Sequence, residues 1–169
     1  MYRRGFLLAL MFAVAGCGTT QMSVTGTGPV QTVSRLAIAP GSGVFGDALA
    51  VELFNSGLTI IDANQATTLV GRAGLSDFEI TSTAGYSALQ QSGIDAVLTV
   101  RSVDAEDGTP ESASIRVNST ADGSVLAGVT WQNGWGGQRG SIADRTMRKN
   151  LSDATRDIAA EIMTRIKAP

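Results

Sequence analysis

Residues 35–46 read Arg35-Leu36-Ala37-Ile38-Ala39-Pro40-Gly41-Ser42-Gly43-Val44-Phe45-Gly46. A short apolar run is stopped by a proline, which has no N–H to continue a ladder, and by glycines that permit a tight turn. Phe45, Leu49 and Leu53 then recur at a spacing of four, which predicts a helix over 46–56 with one apolar stripe. Residues 55–57 stop it, and 58–61 form a second apolar run. Strand, helix and strand in this order predict a parallel pair with a crossover helix, the unit of an α/β sheet.

Working outward toward the C-terminus, Asp62 is placed to cap a short helix, with Gln65 in the capping-box position and Gly71 and Gly74 at its end. Thr81 or Ser82 opens another helix that carries Tyr86 and Leu89 and stops at Gly93. From 94 to 103 the pattern alternates, with Ile94, Ala96, Leu98 and Val100 predicted on one face. Two further strands, 111–120 and 124–133, are joined through Ala121-Asp122-Gly123, a hairpin turn. Met147, Leu151, Ala154, Ile158, Ile162 and Ile166 predict one closing helix, with Ser141 and Asp144 at its front and Glu161–Arg165 as an i,i+4 pair. The predicted order is β-α-β-α-α-β-β-β-α. It describes a single α/β (α+β) domain with a mixed sheet and helices packed on it.

Composition narrows the function. The chain has 169 residues, 13 Lys+Arg against 15 Asp+Glu, no histidine and one cysteine. That length suits one domain. Without histidine there is no imidazole zinc site and no His-based triad, and a single cysteine forms no internal disulfide. The slight acidic balance argues against a nucleic-acid partner.

The N-terminus reads as an address. Arg3 and Arg4 precede an apolar run over 6–14, then Ala15, Gly16 and Cys17. This is the three-part pattern of an export signal, and the run is shorter than the roughly 20 residues that span a bilayer. Residues 1–16 are expected to be removed. Residues 17–33, small and polar with a late Pro29, read as a flexible tether ahead of a domain over 34–169.

Three stretches carry candidate chemistry. Gly41-Ser42-Gly43-Val44-Phe45-Gly46, with Asp62 further on at a strand end, has the form of a dinucleotide fingerprint in strand-turn-helix context. The competing reading is a tight turn whose glycines let a helix pack closely on the sheet. Asp104, Glu106, Asp107 and Glu111, beside Ser102, form an acidic loop without the alternation of an EF-hand; it reads as a solvated loop, with weak calcium contact as the other option. In the third stretch Trp131 shares alternation with Val125, Ala127 and Val129 and is expected in the core. Trp135 falls in a glycine-rich segment with Arg139. These two residues are either a protein-contact spot or a plug over the sheet edge. No catalytic constellation, metal site or cofactor is expected.

Val14-Ala15-Gly16-Cys17 resembles the lipobox of bacterial lipoproteins, with valine in place of the usual leucine. The resemblance implies that Cys17 is acylated, and Gly18 in place of aspartate implies an outer-membrane destination. The strand 35–40 resembles the first strand of the periplasmic domain shared by CsgG-type lipoproteins, the TolB N-terminal domain and LpoB-type activators. Residues 93–100 and 122–127 are similar to that group's central strand and following turn. The group implies no catalytic residues. It implies a non-enzymatic interaction or assembly module in the cell envelope, lipid-anchored at the periplasmic face of the outer membrane. Its partners are the bilayer through Cys17 and either an envelope protein or further copies of itself, as a homo-oligomer. A nucleotide- or small-ligand-binding domain that uses the Gly41-Gly43-Gly46 turn is the alternative.

Overall fold

The computed structural model describes residues 20–25, 30–134 and 141–169. Its elements are β1 (Gln21–Thr25), β2 (Gln31–Thr32), β3 (Arg35–Ile38), α1 (Gly43–Asn55), β4 (Thr59–Ile61), α2 (Ala63–Arg72) and α3 (Thr83–Gln91). They continue with β5 (Ala96–Asp104), β6 (Pro110–Ser119), β7 (Val125–Gln132), α4 (Ile142–Met147), α5 (Leu151–Ile162) and β8 (Ile166–Lys167), and a 3-10 turn at Asp77–Glu79 precedes α3. Six strands form one mixed sheet in the order β1-β7-β6-β5-β3-β4, and β2 pairs with β8 beside it. β3 is parallel to β4 and β5, whereas β5, β6, β7 and β1 are antiparallel in succession. The mixed α+β sheet with packed helices is the expected architecture.

Alternation assigns the two faces. On one face Leu36, Ile38, Leu98, Val100, Ile115, Val117, Val129 and Trp131 join Phe45, Leu49 and Leu53 of α1 and Ile158 and Ile162 of α5 in the main core. The four-residue stripe of α1 is buried as its spacing predicts. On the other face Ala37, Ile61 and Val97 meet Ala66 and Val70 of α2 and Leu89 of α3. Each fully buried aliphatic side chain contributes about 1.5–3 kcal/mol from apolar area alone, so the main core carries most of the stability. The crossovers explain this layout. α1 returns on one side of the β3–β4 pair, while α2 and α3 lead from β4 to β5 on the other.

Several elements differ from their expected form. The segment read as a tether contributes β1, whose Met22 and Val24 lie opposite Trp131 and Val129, and β2, which pairs with β8. Short polar residues hid these strands, since an edge strand needs only one apolar face. The single closing helix is two helices, because the Asn150 side chain accepts from the Asp153 N–H and starts α5 afresh. Ile166 is buried in β8 and not in a helix, so Glu161 and Arg165 do not share a helical face. Ile94 precedes β5 and belongs to the second core, apart from Ala96, Leu98 and Val100.

Candidate functional site

Cys17, Trp135 and Arg139 lie outside the described residues, as does the whole export signal. Trp131 is fully buried, with its ring centroid 6.2 Å from that of Phe45. It is a core residue, as its alternation indicates. The two stems of the segment that holds Trp135 are fixed. Asn133 donates through Nδ2 to the Pro110 and Lys149 carbonyls at 2.7 and 2.9 Å, and its Oδ1 accepts from the Lys149 N–H at 2.9 Å. Next to it Arg148 pairs with buried Asp144 at 2.9 Å and reaches Glu111 at 3.9 Å. This clamp ties the end of β7 to the start of β6 and to the α4–α5 junction. Sequence reasoning passed over Asn133, which reads as an ordinary strand-ending asparagine.

The glycine turn after β3 is a helix entry with two distinct kinds of glycine. Gly41 and Gly43 have φ of +80° and +62°, and a Cβ on either would meet open space. Gly46 is a packing glycine. A Cβ there would lie 2.4 Å from Ser42 Cβ, while Val100 Cβ at 3.7 Å would be an ordinary contact, so the missing atom makes room for the Ser42 side chain at the start of α1. Asp62, the acid of the fingerprint reading, caps α2 by accepting the Gln65 N–H at 2.9 Å. The geometry of this segment is that of a tight turn, with two glycines at positive φ and a third beside the Ser42 side chain. The acidic loop is a compact turn, in which Asp107 accepts the Thr109 N–H and is held below the ordinary aspartate range by that bond. Among the described residues no three acidic or cysteine groups converge on a metal position.

A cleft lies on the second face, between the segment that links α2 to the first turn of α3 and the antiparallel strands. Its volume is about 950 Å³. Pro40, Gly41 and Ser42 form its back, and Thr99, Arg101, Ser114, Arg116 and Asn118 form its floor. Asp77, Phe78, Thr81 and Tyr86 form the opposite wall. Register places Thr99 opposite Arg116 and Arg101 opposite Ser114, so the two arginines are diagonal neighbours on one face. Their Cα atoms are about 7–8 Å apart in such a pair, close enough for both guanidinium groups to reach one ligand. Neither has an ion-pair partner among the described residues.

The wall is held firmly. Ser76 N–H and Oγ both donate to the Glu79 carboxylate, at 2.9 and 2.8 Å, and these bonds hold Glu79 below its ordinary value. Phe78 between them is 90% exposed, while burial pushes the Tyr86 hydroxyl upward. Sequence reading missed Arg101, Arg116 and Phe78 because each looks like a solvated residue at a polar position. Only the hairpin register and the crossover bring them together.

No protein-family model matches the chain, and no curated protein matches its sequence. Among solved structures, it is similar to PelC dodecamers from Paraburkholderia phytofirmans. One has a TM-score of 0.48 at 14% identity and a second 0.47 at 15%, each covering 90% of this chain and 99% of that chain. It is also similar to the lipoprotein GNA1162 from Neisseria meningitidis, with a TM-score of 0.48 at 18% identity over 75% of this chain and 96% of that chain.

Proposed function

We propose that this chain is a lipid-anchored, non-enzymatic interaction or assembly module of the bacterial cell envelope, held at the periplasmic face of the outer membrane. The observation that carries the reading is the run from Arg3 and Arg4 through the apolar segment to Val14-Ala15-Gly16-Cys17. Acylation at Cys17 supplies the anchor, with each buried CH₂ worth about 0.8 kcal/mol.

An acyl anchor at Cys17 would be short. β1 begins at Gln21, four residues beyond Cys17, and an extended chain covers at most about 3.6 Å per residue. With Cys17 acylated, the end of the sheet where Gln21 pairs with Gln132 would lie within roughly 14 Å of the lipid surface. An anchor this close presents the rest of the domain in a restricted orientation, which suits a docking or assembly role. The outer side of α1 supplies a surface of the right character, because Val44, Val51 and Phe54 are 73, 58 and 64% exposed on one helix.

The test is metabolic labelling with a palmitate analogue, combined with membrane fractionation and in-cell crosslinking of the full-length protein and Cys17→Ser. Expected are lipid label, outer-membrane recovery and a specific crosslink to an envelope protein or to further copies. All three should fall away in the variant. Absence of lipid label on the unaltered protein overturns the reading.

A further inference from the structure

We infer that the cleft between the Gly41 turn and the β5–β6 floor binds a small organic phosphate through Arg101 and Arg116. The inference rests on the cleft alone and is independent of acylation.

The fold puts the cleft where ligands collect in open α/β sheets. β3 lies between β4 and β5; its outgoing helix α1 covers one face, while α2 and α3 cover the other. β3 leads out toward β4 on one side and β5 leads out by a hairpin to β6 on the other, so the strand order reverses between their carboxyl ends and a crevice opens there. β3 stops at Ile38, whereas β5 runs on to Asp104. The Ala39 N–H donates to the Leu98 carbonyl at 2.8 Å, and Pro40 has no N–H to follow it. Thr99 and Arg101 beyond this point are left as open floor.

The charges in this crevice are poor for stability and good for an anion. Like charges on neighbouring positions of one sheet face repel, and among the described residues no carboxylate pairs with either arginine. The other charged group lining the cleft is Asp77, whose carboxylate is turned to the Phe78 N–H at 3.0 Å. Thr99, Ser114 and Asn118 add neutral hydrogen-bonding groups around the guanidinium pair. Arginine presents a planar fork of donors matched to phosphate oxygens, which makes two adjacent forks a recognition element for a multiply charged phosphate.

Size and the aromatic wall extend the ligand beyond inorganic phosphate. A cleft of about 950 Å³ matches a metabolite of nucleotide size. Phe78 is kept in solvent by a turn whose ends are tied by Ser76 and Glu79, so its ring is a ready surface for a planar or sugar moiety.

The experiment is isothermal titration of the full-length protein in uncharged detergent with pyrophosphate, ADP and citrate, beside the double variant Arg101→Gln/Arg116→Gln and the control Gln132→Ala. Expected is saturable submillimolar binding of pyrophosphate and ADP that the double variant weakens at least tenfold and Gln132→Ala leaves unchanged. Citrate should bind more weakly than either. Thermal melting shows that the variants are folded. No saturable binding, or binding that the double variant leaves intact, overturns the site. Tighter binding of citrate than of both phosphates overturns the assignment of the ligand to the phosphate class.

Discussion

The two faces of the sheet are built for different ends. One is sealed along its length by α1 and α5, and its buried positions are apolar from Leu36 to Trp131. The other is covered only over β3, β4 and the start of β5, and past Val97 it carries Thr99, Arg101, Ser114, Arg116 and Thr130 among others, with Val103 exposed near its far end. A sheet closed on both faces would gain more burial. The half-open face forgoes that stabilisation and leaves a polar, cationic floor within reach of solutes. Stability and recognition are thus separated by the thickness of one sheet.

The largest effect that tests this division is on the closed face. Trp131→Ala should cost about 3–5 kcal/mol in urea unfolding, since it empties a fully buried site against Phe45. Trp131→Phe should cost under about 1.5 kcal/mol, because the indole Nε1 has no hydrogen-bond partner among the described residues and its removal relieves a buried donor. Equal losses in both variants would mean that the indole has a partner and that this face is not purely apolar.

Gly85→Ala tests the covered part of the open face. A Cβ there would lie 2.1 Å from the Glu79 carbonyl oxygen and 2.7 Å from that of Ile80, backbone atoms that cannot rotate away. About 1–3 kcal/mol should be lost in thermal melting, with the Asp77–Glu79 turn displaced.

Acid should loosen the same turn. The folded-state value of Glu79 is lowered by its bonds to Ser76, so this stabilisation is fully present above the ordinary glutamate range and is lost as pH falls through the lowered folded value. Amide exchange at Ser76 and Phe78 should accelerate below about pH 4, the ordinary glutamate region, before the main core opens. Glu79→Gln should flatten that dependence. The smallest effect belongs to Arg101→Gln/Arg116→Gln, which should change stability by less than about 0.5 kcal/mol while changing anion binding. A large loss of stability would place these arginines in the fold's own support and erase the contrast between the faces.

Periodicity made most of the closed face legible. Phe45, Leu49 and Leu53 at a spacing of four, and Ala127, Val129 and Trp131 at a spacing of two, could bury only one way once helix and strand were assigned. Caps were legible as well, at Asp62, Ser82 and Ser141, because a short side-chain oxygen ahead of a helix satisfies an N–H that nothing local replaces. The break at Asn150 was not, since the apolar spacing runs across it unchanged. Nor were β1 and β2, whose pairing depends on strands that lie far along the chain.

The sequence by itself determined the strand-helix-strand opening, the meander, the candidate anchor at Cys17 and the exclusion of histidine chemistry. These follow from local patterns and from residue types that are present or missing. Tertiary structure alone decided that Gly46 makes room for the Ser42 side chain, that Asp62 is spent as a cap, and that Arg101 and Arg116 converge with the Gly41 turn and Phe78 on one cleft. The physical reason is that periodicity tells which side of an element is apolar. Which polar residues meet across the sheet is set by strand register and crossover side, and both are fixed by burial elsewhere in the molecule.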